Sequence, residues 1–117
     1  IIDGGAAEHQ KQGLKNGIGL SLTGGTKTLG IYFEDFGTLS RAKGMVIIKK
    51  KSCSDPENIP GVKVAPAIYE EVIGGCIVYW AKGHYYIEMT LTGYDSTKIA
   101  LHDAVVLIDS ISSSIVK

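Results

Sequence analysis

The feature that most constrains this chain is a set of alternating apolar runs separated by glycine. Residues 18–22 alternate between apolar and small or polar side chains, and residues 26–34 resume the alternation after Gly24-Gly25. A period of two is typical of a strand with one buried face. A glycine pair between two such runs favours a two-residue hairpin turn. The first half of the chain therefore predicts a β-hairpin.

Three further strands are predicted in the second half of the chain, at residues 68–73, 76–81 and 85–91. They are rich in the β-branched and aromatic residues that fit a pleated surface. Gly74-Gly75 and Lys82-Gly83 mark tight turns between them. Because short turns join antiparallel neighbours, we expect a β-meander.

Two helices are predicted before this meander. Asp3 can cap a short helix over residues 4–12, which Gly13 would end. Thr38 or Ser40 can cap a second helix that continues to about residue 49. The apolar run at residues 45–48 inside it would also suit a buried strand, and its length does not decide between the two.

A third helix is predicted after Asp95 or Ser96, either of which can cap it. Apolar residues recur there at intervals of three and four, which makes one buried stripe. The stripe consists of Leu101, Ala104, Val105, Ile108 and Ile111. Asp103 and Asp109 fall off this stripe, so we expect them to face solvent.

Residues 52–66 contain three prolines and predict the longest loop of the chain. Such a loop is either functional or a crossover that covers one edge of the sheet, and we favour the crossover. The whole pattern predicts a soluble α+β fold with an antiparallel sheet of about five strands packed with helices. The C-terminal helix would close the core. A length of 117 residues suits a single domain over 1–117.

Charge argues against nucleic-acid binding, and hydropathy argues against a membrane-spanning helix. Lysine plus arginine number 12 and aspartate plus glutamate number 12, whereas nucleic-acid binding calls for a basic excess. No apolar run approaches the roughly 20 residues of a membrane-spanning helix. We therefore expect no nucleic acid and no membrane span. The chain starts at Ile1, and removal of a signal peptide would explain this and make the protein exported, periplasmic or extracellular.

The two cysteines permit three interpretations. Cys53 and Cys76 could form a disulfide, although Cys76 lies in an apolar strand and suits a small buried hydrophobe. Cys53 follows three lysines that would lower its pKa, so it could act as a nucleophile with His84 or His102 as base. No local signature surrounds Cys53, so a thiol-dependent enzyme or hydrolase is the alternative rather than the favoured function.

No metal site and no cofactor are predicted. The histidines, His9, His84 and His102, are scattered, and none of them has the spacing that puts two ligands on one helical face. The stretches Gly17-Ile18-Gly19 and 24–28 lack the glycine register of a phosphate-binding loop. They suit turns and strand edges better.

The candidate binding residues are aromatic. Across the hairpin of residues 76–91, Tyr79 with Tyr85, or Trp80 with Tyr86, could share one face and pair. Amphipathic aromatics are frequent in ligand pockets and protein interfaces. The alternative is that the members on one face fill the core.

Three stretches carry a resemblance. Residues 2–8 read Ile-Asp-Gly-Gly-Ala-Ala-Glu, the strand at 29–34 is followed by Ser-Arg-Ala-Lys-Gly-Met at 40–45, and residues 79–86 read Tyr-Trp-Ala-Lys-Gly-His-Tyr-Tyr. In this order they resemble a bacterial family of uncharacterised, often exported proteins. The resemblance implies an architecture similar to the PsbP-like α-β-α sandwich, with a final helix on an antiparallel sheet. It implies no catalytic role, because the family has no established activity.

The sequence thus favours a non-enzymatic binding or accessory domain that engages a small ligand or a protein partner through an aromatic sheet face. The ligand, the partner and the oligomeric state are not predicted.

Overall fold

The computed structural model of this chain describes residues 16–53, 57–59, 62 and 67–115. The elements in these ranges are β1 (Asn16–Gly24), β2 (Lys27–Asp35), α1 (Leu39–Ser52), β3 (Glu57–Asn58), β4 (Ala67–Val72), β5 (Gly75–Lys82), β6 (Tyr85–Thr92) and α2 (Thr97–Ser114). The helix expected at residues 4–12 lies outside the described residues.

The strands form one antiparallel sheet in the order β1-β2-β6-β5-β4-β3. This confirms the α+β class, the first hairpin and the meander. The sixth strand comes from the proline-containing segment, where Glu57 pairs with Tyr69 and Asn58 with Ile68. The amide of Ile59 also donates to the carbonyl of Ala67 at 3.0 Å. This segment therefore covers the edge of β4, as the favoured interpretation expected.

All three hairpin turns are displaced by one residue from the predicted pairs. They consist of residues 25–26, 73–74 and 83–84. Each contains one glycine with positive φ, namely Gly25 at 62°, Gly74 at 74° and Gly83 at 60°. These three positions need glycine for their backbone conformation. The neighbouring Gly24 and Gly75 lie in strands instead, and Gly75 is required there for a different reason, because a Cβ would collide with the Leu91 carbonyl. A glycine pair therefore located the first two turns only to within one residue.

Helix α1 begins after Thr38, whose hydroxyl accepts a hydrogen bond from the Arg41 amide at 3.2 Å. Ala42, Met45 and Val46 recur at intervals of three and four residues and are fully buried. The apolar run at residues 45–48 is therefore helical and not a strand. Three lysines fill the last turn, where positive charge is favourable beside the unpaired carbonyls.

Helix α2 is capped by Ser96, whose hydroxyl accepts from the Ile99 amide at 3.3 Å. The predicted stripe is at least half-buried along its length. The expectation that Asp103 and Asp109 face solvent is wrong, since both are half-buried. Asp103 accepts a hydrogen bond from the Tyr94 hydroxyl at 2.9 Å, which gives its carboxylate a partner at the helix-sheet boundary.

The two helices lie on opposite faces of the sheet, so the described residues form three layers. Successive residues of a strand point to opposite faces, and in β5 Trp80 packs with α2 whereas Tyr79 packs with α1. Helix α1 packs on β4, β5 and β6, and α2 packs on β5 and β6. We call the two surfaces of the sheet the α1-side face and the α2-side face. Within the described ranges, neither helix combines the length and apolar character needed to cross a bilayer.

Candidate functional site

The four aromatic residues predicted to bind are divided between the two faces. Tyr79 lies opposite Glu88 and Trp80 lies opposite Ile87 in the β5–β6 register. The expected pairs, Tyr79 with Tyr85 and Trp80 with Tyr86, are therefore wrong. The turn consists of Gly83 and His84, so Lys82 lies opposite Tyr85 and Ala81 lies opposite Tyr86. The α1-side face receives Tyr79 and Tyr86, while the α2-side face receives Trp80 and Tyr85.

Trp80 belongs to the core. Its side chain is 0% exposed among the residues that α2 covers, and its Nε1 donates to Oγ of the buried Ser112 at 2.9 Å. Tyr85 is half-buried, and its ring lies 4.3 Å from the His84 ring. His84 Nδ1 is in turn 2.7 Å from Oδ1 of Asp35. The contacts of His84 hold the end of the hairpin. Because Trp80 is fully buried, no part of its indole is available to a ligand.

The α1-side face carries a reciprocal arrangement of tyrosines and glutamates. Strand β2 contains Tyr32 and Glu34, and its neighbour β6 contains Tyr86 and Glu88. In the antiparallel register Tyr32 lies opposite Glu88, and Glu34 lies opposite Tyr86. Tyr79 of β5 continues the first of these rows, because it also lies opposite Glu88. We call these five residues the Tyr-Glu cluster.

The tyrosine hydroxyls of the Tyr-Glu cluster donate to carboxylates. Tyr86 donates to Oε2 of Glu88 at 2.6 Å, and Tyr79 donates to Oε1 of Glu70 on β4 at 2.8 Å. Burial raises the pKa of both hydroxyls, and the nearby carboxylates raise it further. The pKa of Tyr32 is raised by burial, by the charge of Glu34 and by hydrogen bonding to it. All three tyrosines therefore remain neutral donors at physiological pH.

Lys49 supplies a cation to the same face. Its Nζ lies 3.6 Å from Oε2 of Glu88 and 5.7 Å from the centroid of the Tyr79 ring. An ammonium group between a carboxylate and an aromatic face is held by charge and by the ring quadrupole. Glu34, Glu70 and Glu88 contribute three formal negative charges against the one positive charge of Lys49. This group therefore has a formal charge of minus two.

Tyr32 and Glu88 are the two partly exposed members of the Tyr-Glu cluster. Tyr79 and Tyr86 are 5% and 0% exposed beneath α1, and Glu34 is 0% exposed. Tyr32, by contrast, is only half-buried on β2, whereas α1 packs mainly on β4, β5 and β6. Its neighbour across β1 is Gly19, and a Cβ there would lie 3.5 Å from Cδ1 of the ring. The β1 position directly beside Tyr32 is therefore a glycine, without a side chain to cover the ring.

Cys53, at the end of α1, contacts Glu70, the acceptor of the Tyr79 hydroxyl. Its thiol lies 3.5 Å from Oε1 of Glu70, as a donor. Burial raises the pKa of this thiol, and the charge of Glu70 and the hydrogen bond to it raise the pKa further, while a hydrogen bond with Tyr79 and the charge of Lys49 lower it only in part. His84 is paired with Asp35, and His102 is exposed on α2 at the opposite face. Neither histidine predicted as its base is brought beside Cys53.

Cys76 occupies the α2-side core. It is 0% exposed, and burial raises its pKa to about 11. Both cysteines are free thiols, so the disulfide interpretation is wrong and the buried-hydrophobe interpretation of Cys76 is confirmed. Within the described ranges no group of three or more His, Cys, Asp or Glu side chains is arranged to hold a metal ion. His9 lies outside those ranges.

A depression of about 300 Å³ lies beside the β1–β2 turn and is formed in part by Thr23, Lys27 and Tyr94. Lys27 Nζ stands 4.8 Å from the centroid of the Tyr94 ring. The depression is open to solvent, and it collects none of the aromatic residues predicted to bind.

Comparison with protein-family models, with curated proteins and with solved structures found no match to this chain. The functional argument therefore depends on the geometry of the α1-side face.

Sequence reasoning missed Tyr32, Glu34, Glu88 and Lys49. A glutamate at an alternate position of an amphipathic strand is typical of a solvent-facing residue, so nothing marked these glutamates as partners of tyrosines. One signal was present, however. The chain contains Tyr-Phe-Glu at residues 32–34 and Tyr-Ile-Glu at residues 86–88. When two Tyr-x-Glu segments lie side by side in antiparallel strands, the tyrosine of each can lie opposite the glutamate of the other. The register of β2 and β6 has this arrangement.

Proposed function

We propose that this chain is a non-enzymatic binding domain whose α1-side face receives an ammonium group beside Tyr32 and Glu88. The observation that carries the proposal is the placement of Lys49. Its ammonium lies 3.6 Å from the Glu88 carboxylate and 5.7 Å from the Tyr79 ring. The α1-side face therefore already holds one ammonium group, which is the group that we expect the ligand to carry. The row of side chains that holds it extends from Tyr79 through Glu88 to Tyr32, which is partly exposed.

The charge of the site supports a cationic ligand. Glu34, Glu70 and Glu88 outnumber Lys49, and burial of carboxylates is favourable only when opposite charges or donors accompany them. The tyrosine hydroxyls supply donors, but they do not neutralise the charge. A second ammonium beside Glu88 would do so, and it would reduce the formal charge of the group from minus two to minus one.

The exposure of Tyr32 supports access from outside. A cation positioned over a tyrosine ring gains about 0.5–2 kcal/mol, with the higher values in desolvated sites. Tyr32 presents its half-buried ring on β2 next to Gly19, whereas α1 packs mainly on β4, β5 and β6. An ammonium arriving there would contact a ring whose register partner on β6 is Glu88.

The titration properties of the face support binding rather than catalysis. A nucleophile or a general base works best when its pKa lies near the operating pH. Here the pKa values of Tyr32, Tyr79 and Cys53 are all raised above their ordinary values, which are already basic. The thiol-dependent enzyme remains an alternative prediction, and no contact of Cys53 favours it.

The experiment is a calorimetric titration with spermidine and with a short peptide that contains one lysine. We expect both to bind, because they share the ammonium group, and we expect an acetylated lysine in the same peptide to abolish binding. If only spermidine binds, the natural ligand is a polyamine, and if only the peptide binds, it is a lysine side chain. Affinity should fall as salt is raised, since surface charge is screened within about 8–10 Å at physiological ionic strength.

Variants locate the binding site. Glu88→Gln and Tyr32→Ala should each weaken binding by about tenfold, which corresponds to about 1.4 kcal/mol. The matched control is Glu71→Gln, because Glu71 is an exposed glutamate on β4 outside the Tyr-Glu cluster. Equal affinity for the acetylated and unmodified peptides, or equal losses in Glu71→Gln and Glu88→Gln, would contradict the proposal.

A further inference from the structure

The two edges of the sheet differ in a way that bears on association. One edge is β3, which has two residues and is preceded in the sequence by Asp55 and Pro56. The other edge is β1, which has nine residues and contains neither proline nor a charged side chain. Proteins generally protect edges with short strands, prolines or inward-pointing charges. The edge at β3 has such protection, whereas β1 has none within its nine residues.

In the part of the chain that the structure describes, only the inner side of β1 has a strand partner. Its inner side pairs with β2 from Asn16 to Gly24. Among residues 16–53, 57–59, 62 and 67–115, no second strand pairs with it. A strand with one row of free amides and carbonyls is a template for another strand.

We infer that β1 pairs in antiparallel orientation with β1 of a second copy of this chain, and so joins two six-stranded sheets into one. An antiparallel pair of identical strands is related by a two-fold axis, which is the commonest symmetry of protein dimers. Placing the axis at Leu20 uses all nine residues of both strands. Every other register leaves at least one end of β1 unpaired.

The residue pattern of β1 fits this register. With the axis at Leu20, Ile18 of one copy lies opposite Leu22 of the other, and Leu20 lies opposite itself. These are the register positions that face Phe33, Ile31 and Leu29 on β2, which pack against the α2-side core. Apolar positions thus meet apolar positions, and the α2-side face continues from one copy into the next.

Charge selects a second copy over a charged partner. Residues 16–24 carry no charge, so two copies of β1 meet without repulsion, and the strand offers no complement to a basic or an acidic peptide. The formal net charge of the whole chain is also zero. Net charge keeps proteins apart in solution, so this chain has little long-range repulsion between copies.

The experiment measures the solution mass of the full chain by sedimentation over a range of concentrations. We expect a species of twice the 12.5 kDa mass of one chain. The double variant Gly19→Lys, Ser21→Lys should be monomeric, because residues 19 and 21 lie opposite each other across the axis. A Cβ at Gly19 makes only an ordinary contact of 3.5 Å with Tyr32, so the fold should tolerate the change.

Charge reversal then identifies the contact. Gly19→Glu, Ser21→Glu should also be monomeric, and mixing it with the lysine variant should restore a mixed dimer by pairing opposite charges. The control is Ser110→Lys, Ser113→Lys on the exposed side of α2, which should leave the dimer unchanged.

Three results would overturn the inference. They are a wild-type chain that is monomeric at every concentration, charged β1 variants that dimerise as the wild type does, and a mixture of opposite charges that stays monomeric. A monomeric wild type is also the result expected if residues 1–15 or another segment occupy this edge. Amide hydrogen exchange in the wild type is independent of any variant. It should slow in β1 as concentration rises, and exchange that does not respond to concentration would contradict the pairing.

Discussion

The two faces of one sheet are built on different principles in this protein. On the α2-side face, strands β5 and β6 present Cys76, Val78, Ile87, Met89 and Leu91 to a helix that supplies alanines and Ile108. On the α1-side face, the intervening residues of the same strands include Tyr79, Tyr86 and Glu88, and Lys49 contacts Tyr79 and Glu88. Because successive residues alternate between faces, one strand can serve both faces at once.

The difference shows how each kind of burial is stabilised. Apolar side chains on the α2 side gain from removal from water, at about 25 cal/mol per Å² of apolar surface. Buried hydroxyls and carboxylates on the α1 side contribute only when they are hydrogen-bonded. Tyr79 with Glu70 and Tyr86 with Glu88 satisfy that condition. Both sides bury apolar side chains, with Phe36, Met45 and Val46 among them on the α1 side, and the α1 side in addition holds polar groups in fixed positions.

The largest expected effect is on the α2-side face. Trp80→Ala should lower the free energy of unfolding by about 3–5 kcal/mol, because truncation of a buried tryptophan leaves a cavity. Trp80 is 0% exposed, and its Nε1 is bonded to Ser112. Urea denaturation checks this, with Val106→Ala as control because Val106 is 60% exposed. Similar losses in the two variants would place Trp80 outside the core and would remove the distinction between the faces.

A smaller loss is expected on the α1-side face. Tyr79→Phe keeps the ring but removes the donor to Glu70, so the free energy of unfolding should fall by about 1–2 kcal/mol. Tyr85→Phe removes a hydroxyl from the opposite face and should change it by less than about 0.5 kcal/mol. Urea denaturation of both variants makes the comparison. If they lose the same amount, the hydrogen bond to Glu70 does not stabilise the α1 side.

Alkaline pH sharpens the comparison further. Tyr32, Tyr79 and Tyr86 have raised pKa values in the folded protein, and that of Tyr94 is raised to about 12 by burial and by Asp103. In the unfolded chain the tyrosine pKa is about 10. A raised folded pKa stabilises fully below the unfolded value, and that stability is lost as pH rises through the folded value.

The free energy of unfolding should therefore decline above about pH 10, where unfolded tyrosines ionise first. Tyr79→Phe should decline less steeply than the wild type, because one such group is absent. Urea denaturation between about pH 8 and about pH 11 measures the slopes. Parallel slopes would show that the pKa of Tyr79 does not differ between the folded and unfolded chains.

The smallest expected effect concerns the reactivity of Cys53. Its raised pKa lowers the thiolate fraction at neutral pH, and the thiolate is the reactive form. Alkylation followed by mass spectrometry should show Cys53 reacting more slowly than a small thiol under the same conditions. Cys76 should stay unlabelled in the folded chain, and Cys53→Ser identifies the labelled site. Faster alkylation of Cys53 than of the small thiol would revive the thiol-enzyme alternative.

The architecture was largely predictable because it depends on local periodicity. Alternation at residues 18–22 and 26–34 gave the first hairpin, and intervals of three and four gave α2. The sixth strand was not predictable, since Glu57 and Asn58 have no strand propensity of their own and pair only because the edge of β4 is there.

The candidate site was harder to predict than the fold because it depends on register. A slip of one residue in the pairing register moves a side chain to the other face of a sheet. The expected pair of Trp80 with Tyr86 requires an odd number of residues in the turn, whereas the observed turn has two, Gly83 and His84, so the two side chains lie on opposite faces. Tyr32 and Glu88 are 56 positions apart in the sequence (88 − 32) and become neighbours only through the pairing of β2 with β6.

The most direct test of the division between the faces is a heteronuclear NMR titration of the full chain with spermidine. The account predicts that backbone shifts concentrate at Tyr32, Glu88 and Lys49, and that the indole signal of Trp80 stays where it is. Shifts that centre on Trp80 and α2, or that spread evenly over exposed acidic residues such as Glu71, would contradict it.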